Sequence, residues 1–565
     1  MTVALDSDLA GIAPVFHGRL QPIGQIGSLV RIPQGLVDLL GSVTLVGISE
    51  LVGAKPPTDA VHGGERWLQV QLVGELDRTT HRFRRGVATY PGLDDAVHFA
   101  TPDDLRLVFP PEGRDHLRLG RVAAAEEIPA CLDAGRLVLR HSAVVGSTGS
   151  GKTSAVATLL QRFAHGGWPA ANIVIVDPHG EYEKALTGVA NVQSVLSVGP
   201  SSLRIPYWAL SAPDILRAFT GVAGAGTASS RFSELVTEAR TAFAAQAPWL
   251  TLDPAAITAD TPIPFDLRSV WHIMDSENNE TRNLKADAQS RLVTSPGSAD
   301  ELRPATFQPY NPGGAAPFKG PYHGTYGSMP ELLRLGLADP RLRFLQEPAA
   351  DPSVGDPLPA MIAGWLGGQQ PISVLDFNGV PTQATEVATG VVLNLLLQVA
   401  VHSPAGGEGV GRPRPILVVL EEAHRYLNAG ATSLAKQSCN RIAREGRKYG
   451  IGLMLVTQRP SELPDTALAQ CGTLIALRLT NASDQATVRA ALPDTVAGLS
   501  AVLASLRTGE AVVSGEAMAL PARVLVDCPD PMPAAEDPSL APWRELASAP
   551  NLEDPVATWR STYSA

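Results

Sequence analysis

The amino-acid sequence predicts an α/β protein, and three observations support this fold class. An apolar stretch at 137–146 is followed by a glycine-rich loop, a periodic apolar stretch and a second apolar stretch, which is the order of a βαβ unit. Short strand-like segments separated by Gly, Pro or Asp occupy residues 24–109, as in a small β-barrel or sandwich. Further strand-like stretches occur much later, at 371–381, 414–424, 450–460 and 472–479.

The region between the two sets of core strands has a different character. Residues 212–222 and 229–246 have the periodicity of amphipathic helices, and 305–330 is rich in Pro, Gly and Tyr. Beyond Pro529 the chain is rich in Pro and Ala, which is typical of a tail that is disordered or lies against a neighbour. These changes predict an N-terminal β-barrel, a first core part, a helical insertion, a second core part and a tail, at 1–125, 126–204, 205–367, 368–529 and 530–565.

Composition and charge limit the class of protein. The 565 residues carry a formal net charge of −11, which excludes a chain-wide basic surface that coats nucleic acid but allows a local basic channel. The four cysteines are scattered without a CxxC pair, so neither a disulfide framework nor a zinc site is predicted. The N-terminal stretch does not resemble a signal peptide, and the apolar runs look strand-sized, so we expect a cytoplasmic protein without a membrane partner.

The strongest motif is a phosphate-binding loop, GSTGSGKT. It matches GxxxxGK[ST], and the strand before it and the helix after it argue against a chance glycine turn. Its backbone N–H groups can surround a β-phosphate, Lys152 can reach the β- and γ-phosphates, and the Thr153 hydroxyl can ligate Mg²⁺. The sequence therefore predicts ATP and Mg²⁺ as cofactors, with the nucleotide bound by Gly146, Ser147, Thr148, Gly149, Ser150, Gly151, Lys152 and Thr153.

Acidic residues follow two of the predicted strands, at the sheet edge where α/β proteins bind ligands. We expect Glu421 to assist Mg²⁺ and Glu422 to polarise the attacking water; the alternative is a solvated turn. Asp177, His179 and Glu181 follow another strand and reach the same edge. They could order metal-bound water near the nucleotide, couple the site to a neighbouring subunit, or form a capped turn.

Gln458 and a run of basic residues complete the candidate site. Gln458 follows a strand, where it can contact the γ-phosphate or the lytic water as a sensor, or face solvent as a polar strand end. Arg441, Arg444, Arg447 and Lys448 cluster within eight positions. Such a run is either a solvated basic face or contains an arginine finger that reaches the ATP of an adjacent subunit.

The order of the motifs resembles the HerA family of hexameric ATPases, in the FtsK–HerA branch of RecA-like motors. The matching motifs are the P-loop, DPHGEY, LEEAH, IAREGRKYG and VTQRPSELPDTALAQCGTLIALRL. The resemblance spans nearly the whole chain, and DPHGEY, AREGRKYG and TQRPS are more specific than the P-loop. It implies a RecA-like P-loop ATPase core with an N-terminal small β-barrel of the HAS type and a helical insertion. LRTGEAVVSGEAMALPARV resembles the closing hairpin of such a motor.

The resemblance also implies roles for individual residues. Lys152 and Thr153 would bind the phosphates and Mg²⁺, Glu422 would be the catalytic carboxylate, and Gln458 would be the sensor. Many P-loop proteins carry Asp-Glu where this chain has Glu-Glu, and a glutamate at Glu421 is compatible with metal assistance.

A quaternary arrangement follows from the same resemblance. Family members pump double-stranded DNA through the pore of a homo-hexamer and work with a partner nuclease of the NurA type in DNA-end processing. In anti-phage defence, the partner is a sirtuin-type NADase or another effector. An arginine of the 441–448 run would act in trans, with Arg447 preferred over Arg444.

Three alternative functions remain open from the sequence. A hexameric scaffold would bind ATP and hold an effector with little translocation. A type IV secretion-like motor would act on protein or at a membrane, and the apparent lack of a membrane span disfavours it. A small-molecule kinase is disfavoured because no acceptor pocket or lid is evident.

Overall fold

The computed structural model describes most of the 565-residue chain. It contains two large β-sheets and a mainly helical region, so the predicted α/β class is confirmed. The end of the strand-like stretch 42–53, beyond Ile48, lies outside the described residues. These are residues 1–5, 15–16, 19–20, 26–48, 66–195, 201–222, 224, 226–346, 351–380, 382–427, 433–492, 502–534, 541–544 and 551–561.

An antiparallel sheet forms the N-terminal region. Its strands and one separate hairpin are β1 (Thr2–Ala4), β2 (Val15–Phe16), β3 (Arg19–Leu20), β4 (Leu29–Gln34), β5 (Val37–Ile48), β6 (Arg66–Asp77), β7 (Arg82–Arg85) and β8 (His98–Phe99). The sheet has the order β1-β6-β5-β4-β8, with β7 paired to β6, whereas β2 pairs with β3. Because alternate residues of a strand point to one face, Val30, Val43 and Val70 meet in a small core.

An 11-stranded sheet forms the centre of the second region. The first part of this region of the chain contains α1 (Pro102–Val108), β9 (His116–Val122), β10 (Ala125–Asp133), α2 (Ala134–Leu139), β11 (Ser142–Val145), α3 (Lys152–His165), β12 (Asn172–Asp177), α4 (Tyr182–Ala185) and β13 (Ala190–Ser194).

The helical insertion follows β13. It contains α5 (Ala212–Thr220), α6 (Gly226–Ala244), α7 (Leu267–Asn279), β14 (Thr281–Arg282), β15 (Val293–Ser295), β16 (Thr306–Phe307), β17 (Phe318–Lys319), α8 (Met329–Ala338), α9 (Arg343–Gln346) and α10 (Leu358–Trp365). The two predicted amphipathic helices are confirmed as α5 and α6. The stretch rich in Pro, Gly and Tyr contains β16 and β17, which pair with β15 and β14 in two short antiparallel ladders.

The sheet resumes after the insertion. Its second part contains β18 (Ile372–Asp376), α11 (Thr382–His402), β19 (Ile416–Leu420), α12 (Leu434–Tyr449), β20 (Ile451–Thr457), α13 (Asp465–Ala469), β21 (Thr473–Leu477), α14 (Ala482–Ala491), β22 (Glu510–Gly515) and β23 (Ala522–Val526). All the strands predicted here are confirmed, and β22 with β23 forms the predicted hairpin.

The strand order of the large sheet is β10-β9-β23-β22-β21-β11-β20-β19-β12-β18-β13. The strands from β21 to β13 run parallel, and the other four extend the sheet in antiparallel fashion. Every residue of β12, β19, β20 and β21 is buried, because helices and loops cover both faces. This double burial explains why these strands are continuous apolar runs.

Two segments read as strands from the sequence are helices. Residues 102–108 form α1, because Thr101 and Asp104 make a capping box and Pro102 occupies the first turn. Residues 137–139 form the end of α2, which begins where the Asp133 side chain accepts the N–H of Arg136. The strand before the P-loop therefore starts only at Ser142. A short run of apolar residues can belong to a strand or to a buried helix, and hydrophobic periodicity alone does not distinguish the two.

The expected barrel boundary at 125 differs from the sheet topology. β9 ends at Val122 and pairs with β10 and β23, so it belongs to the large sheet. The N-terminal antiparallel sheet ends at β8, and α1 leads into the next domain. Pro110, Pro111 and Gly113 lie between β8 and β9, but strand-like patterns on both sides of this turn do not show which sheet a strand joins.

The expectation that all apolar runs are strand-sized is wrong for α11. Residues 384–402 of this helix are long and apolar enough for a membrane span by composition alone. However, 67% of the apolar window is buried inside the protein, and the helix packs against α12. Such burial is typical of a core helix.

The end of the second core part and the start of the tail lie against the chain's own core. The Thr158 hydroxyl donates to the carbonyl of Asp527, and the Gln161 side chain donates to that of Pro531, both at 2.9 Å. The N–H of Ala534 donates to the carbonyl of Glu181 at 3.0 Å. Farther on, the described residues form a helix, α15 (Glu553–Ser561). Contact of the tail with a neighbouring subunit stays a prediction.

His141, between α2 and β11, gives the fold a pH-dependent element. The side chain is buried, the backbone φ is 52°, and Nδ1 accepts the N–H of Leu453 at 3.0 Å. Burial lowers the pKa of His141 from 6.5 to about 4. Between these values the unfolded chain binds a proton that the folded chain excludes. The contribution of His141 to stability is therefore fully present above pH 6.5 and is lost as the pH falls towards 4.

We expect His141 to lower the free energy of unfolding by about 2 kcal/mol when the pH falls from 7 to 5. His141→Asn keeps an acceptor, tolerates a positive φ and does not titrate, so its melting temperature should fall less over this range. Calorimetry at both pH values measures the difference, with the exposed His402→Asn as control. The same pH dependence in His141→Asn and the unmodified protein would contradict this role.

Candidate functional site

Four neighbouring parallel strands end at one edge of the large sheet, and a candidate segment follows each. Their registers pair Val145 of β11 with Thr457 of β20, Leu420 of β19 with Leu455 of β20, and Val176 of β12 with Leu420. The P-loop, the DPHGE turn, the acidic pair and Gln458, the predicted sensor, therefore meet at this edge, where parallel sheets bind ligands.

The P-loop has the conformation of an anion-binding turn. Gly149 and Gly151 have φ values of 70° and 100°, in the left-handed region that favours glycine. Helix α3 begins at Lys152 without a side-chain cap, so the N–H groups of its first turn have no capping acceptor from the N-cap residue. The helix dipole adds positive potential at the same place.

Three neighbouring segments fix the P-loop backbone. The N–H of Gly146 donates to the carbonyl of Thr457 at 3.3 Å. The N–H of Ser147 donates to the carbonyl of Arg478, directly after β21, at 2.8 Å. The N–H of Gly509, just before β22, donates to the carbonyl of Ser150 at 3.0 Å. The loop is thus tied to the antiparallel extension of the sheet as well as to its parallel part.

Two side-chain contacts connect the P-loop with the other predicted residues. The Thr148 hydroxyl donates to the side-chain oxygen of Gln458 at 2.6 Å. The Thr153 hydroxyl donates to Glu181 Oε2 at 2.9 Å. The structure therefore brings the predicted sensor and one acidic residue of the DPHGE turn directly to the loop.

Asp177 shapes the turn that carries Glu181. Its buried carboxylate accepts the N–H groups of His179, Gly180 and Tyr182 at 3.1, 2.9 and 3.1 Å. Burial nevertheless raises the pKa of Asp177 to about 6. The half-buried His179 has a lowered pKa, first because of burial. The capped-turn alternative thus describes Asp177, whereas Glu181 reaches the P-loop.

Glu421 is enclosed by two tyrosines. Its side chain is only 2% exposed and accepts the Tyr182 hydroxyl at 2.6 Å, while its carbonyl accepts the Tyr426 hydroxyl. Burial raises the pKa of Glu421 to about 8, and the tyrosine hydrogen bond only partly opposes this. The carboxyl is therefore mainly protonated at neutral pH. The carboxylate that contacts Thr153 is Glu181, and Mg²⁺ assistance by Glu421 stays a prediction.

Glu422 has a different environment from Glu421. Its backbone is left-handed, with a φ of 48°, which is uncommon for a residue other than glycine. His424 Nδ1 lies 3.2 Å from Glu422 Oε2. Burial would raise the pKa of Glu422, but His424, Lys152 and the backbone of Gln458 together hold it below its ordinary value. Adjacent glutamates thus differ in charge at neutral pH, with Glu422 ionised.

The predicted trans arginines are not part of this edge within one chain. α12 ends at Tyr449, immediately before β20, whose first residue Ile451 pairs with Ile416 at the opposite edge of the sheet. Arg447 in the last turn of α12 therefore lies at the edge away from the P-loop. Arg444 and Arg447 are both exposed. Their action on a neighbouring subunit's nucleotide stays a prediction.

The residues at the P-loop edge fit the predicted ATP and Mg²⁺. The uncapped start of α3, the 7% exposed Lys152 and the buried, unpartnered Ser150 hydroxyl provide donors for phosphate oxygens. Thr153 and Glu181 provide hard oxygen ligands of the kind Mg²⁺ prefers. Among the described residues, no group of three or more His, Cys, Asp and Glu could hold a metal ion.

Three residues at this edge were not recognised as site residues from the sequence. Tyr182 contacts Glu421, and His424 contacts both Glu422 and Thr457. Tyr182 lies in DPHGEY, His424 in LEEAH and Thr457 in VTQRPS, each within five residues of the end of β12, β19 or β20. Their position in those motifs was the available signal, but no spacing rule assigns a role to a tyrosine or histidine there.

Comparison with known proteins identifies the family. The model described as "Helicase HerA, central domain" matches residues 117–308, and "Helicase HerA-like C-terminal" matches 342–528. The "DNA double-strand break repair helicase HerA" of Pyrococcus furiosus is 27% identical over 460 residues, which are 76% of this chain and 72% of that protein. The protein of the same name from Sulfurisphaera tokodaii is 25% identical over 475 residues, which are 83% and 80% of the two chains.

The fold of the chain also resembles that of a solved structure. The structure of VirB4 of Thermoanaerobacter pseudethanolicus has a TM-score of 0.47 at 13% identity and covers 74% of this chain and 98% of that one. The family matches cover both parts of the large sheet and the segments that form the P-loop edge. The chain belongs to the HerA helicase family, and it is an ATP-hydrolysing enzyme with a P-loop core.

Proposed function

We propose that the chain is an ATP-driven DNA translocase or helicase that works on double-stranded DNA as a homo-hexamer in the cytoplasm. The observation that carries this proposal is the meeting of the P-loop, Glu422 and Gln458 at one sheet edge. The Thr148–Gln458 contact supports it further, because it connects the phosphate loop to the end of β20. The relatives named for double-strand break repair favour a role in DNA-end processing.

Each site residue has a place in this proposal. Lys152 and the N–H groups of the P-loop hold the phosphates, and Thr153 with Glu181 provides oxygen ligands on the metal side. Mg²⁺, when bound, supplies charge that stabilises the transferring phosphoryl group. Glu422, ionised at neutral pH, accepts the proton of the attacking water. Gln458 reports the γ-phosphate, because its side chain already contacts the loop that surrounds it.

The proposed motor also makes contacts with a neighbouring subunit and with a separate effector chain. An arginine of α12, with Arg447 preferred to Arg444, completes the ATP site of the next subunit. A nuclease of the NurA type or a sirtuin-type NADase, on a separate chain, uses the motor in end processing or anti-phage defence. The antiparallel N-terminal sheet and the tail provide surfaces outside the ATPase core for such contacts.

The proposed site predicts distinct effects for two substitutions. Lys152→Ala should abolish both ATP binding and hydrolysis, because it removes the cation at the phosphates. Glu422→Gln should keep ATP binding but reduce turnover by about 10²- to 10⁴-fold, the usual contribution of a general base. Binding of a fluorescent ATP analogue and phosphate release, each with and without long duplex DNA, measure these effects.

The exposed Glu183→Gln on α4 is the matched control and should behave as the unmodified protein. Duplex DNA should strongly stimulate hydrolysis by the unmodified protein. Full activity of Glu422→Gln would refute the assignment of the base. An unchanged rate with DNA would refute translocation and favour a scaffold that binds ATP to hold an effector.

Mixing experiments test the trans arginine. Arg447→Ala should retain ATP binding and lose about 10³-fold or more in turnover, as the loss of arginine fingers does elsewhere. Mixing with Glu422→Gln subunits should partly restore turnover, because some interfaces then combine an intact glutamate with an intact arginine. Arg303→Ala, an exposed arginine of the insertion, is the control. Mixtures no more active than their components would argue against action in trans by Arg447.

A further inference from the structure

His424 and Thr457 lie beside Glu422 and have no role in the function proposed above. Both side chains are buried, His424 in the turn after β19 and Thr457 at the end of β20. The Nδ1 atom of His424 is 3.2 Å from Glu422 Oε2 and 3.0 Å from Thr457 Oγ1. Glu422 Oε2 is buried and has no hydrogen-bond partner, so the His424 tautomer that carries its proton on Nδ1 can donate to this oxygen by a small rotation. The Thr457 hydroxyl lies on the same side of the ring as a second acceptor.

Thr457 is in turn connected to the P-loop and to the sensor. Its carbonyl accepts the N–H of Gly146, the first residue of the P-loop, at 3.3 Å. Its hydroxyl accepts the N–H of Arg459 at 3.0 Å, which fixes the backbone on the far side of Gln458. The Gln458 side chain contacts Thr148. A continuous set of contacts thus runs from the P-loop through Thr457 to His424.

The backbone of Glu422 explains why such a contact is needed. A non-glycine residue with φ 48° and ψ 45° is in a left-handed conformation that persists only where its surroundings fix it. The carboxylate of a general base must also be within hydrogen-bond reach of the proton that it accepts. A side chain on an unusual backbone meets this requirement when a neighbouring group limits its rotation.

We propose that His424 and Thr457 are positioning residues, which hold the Glu422 carboxylate at a fixed place relative to the P-loop. The inference rests on the proposed function, in which Glu422 polarises the attacking water. His424 contacts the carboxylate directly, and Thr457 orients the imidazole. Neither residue contacts the nucleotide or the water in this assignment. The effect of both on turnover therefore passes through Glu422.

Substitutions at Thr457 test the positioning role with little change in shape. Thr457→Val removes the hydroxyl and should reduce kcat for ATP hydrolysis by about 10- to 100-fold, as the loss of outer-shell partners does at other sites. The Kd of an ATP analogue should remain that of the unmodified protein. Thr457→Ser restores the hydroxyl and should recover most of kcat. Phosphate release at saturating ATP and analogue titration give the two constants.

Thr473 provides a matched control for the loss of a buried hydroxyl. It is fully buried in β21, and its Oγ1 accepts the N–H of Ala517 at 3.1 Å. Thr473→Val should lower the melting temperature but leave kcat unchanged, because this hydroxyl does not touch the site. If Thr457→Val has the kcat of the unmodified protein, or lowers kcat only together with ATP-analogue affinity, the positioning role is wrong.

A double-mutant cycle tests whether His424 acts through Glu422. His424→Gln, which keeps a donor, and His424→Ala are each made alone and in the Glu422→Gln background. We expect His424→Ala to reduce kcat strongly by itself and His424→Gln to reduce it less. Neither should reduce it further once Glu422 is replaced. An equal loss in both backgrounds would overturn the inference, whereas absence of ATP hydrolysis in the unmodified protein would instead overturn the proposed function.

Discussion

The parallel pairing of β11, β12, β19 and β20 is the constraint on which the site depends. The pairs Val145–Thr457 and Leu420–Leu455 set how far each strand extends towards the nucleotide edge. A shift of one residue would reverse the faces of the side chains, and it would separate the P-loop from Thr457. Because β19 and β20 are completely buried, such a shift would be costly. Packing of the core therefore fixes the relative positions of the site residues at the strand ends.

Differences in burial and in neighbouring groups give the two adjacent glutamates different pKa values. Glu421 points into the protein, where Tyr182 donates to it, and the lack of solvent raises its pKa to about 8. Glu422, turned away by its left-handed backbone, faces His424 and the charge of Lys152, which keep it ionised. The backbone turn after β19 therefore places two identical side chains in different environments, where Glu421 is neutral and Glu422 is negatively charged.

The sequence predicted the core strands and the P-loop because both depend on local patterns, an apolar run and a fixed glycine spacing. It was less successful where tertiary context decides. Residues 137–139 have a strand-like composition but form the end of α2, because Asp133 caps a short helix there. Likewise, no spacing rule indicated that Glu181 would contact Thr153, since that contact depends on the turn that Asp177 stabilises.

A single chain provides little positive charge at the P-loop edge. The carboxyl groups of Asp177, Glu181 and Glu422 share the nucleotide edge with the buried cation of Lys152, so bound phosphates add negative charge to an already acidic place. Mg²⁺ supplies part of the missing positive charge in the proposed function. The basic run of α12 lies at the opposite edge of the sheet, because a helix that follows one parallel strand must return to the start of the next. A cation from that run can therefore contribute to this balance only at the site of a second copy of the chain.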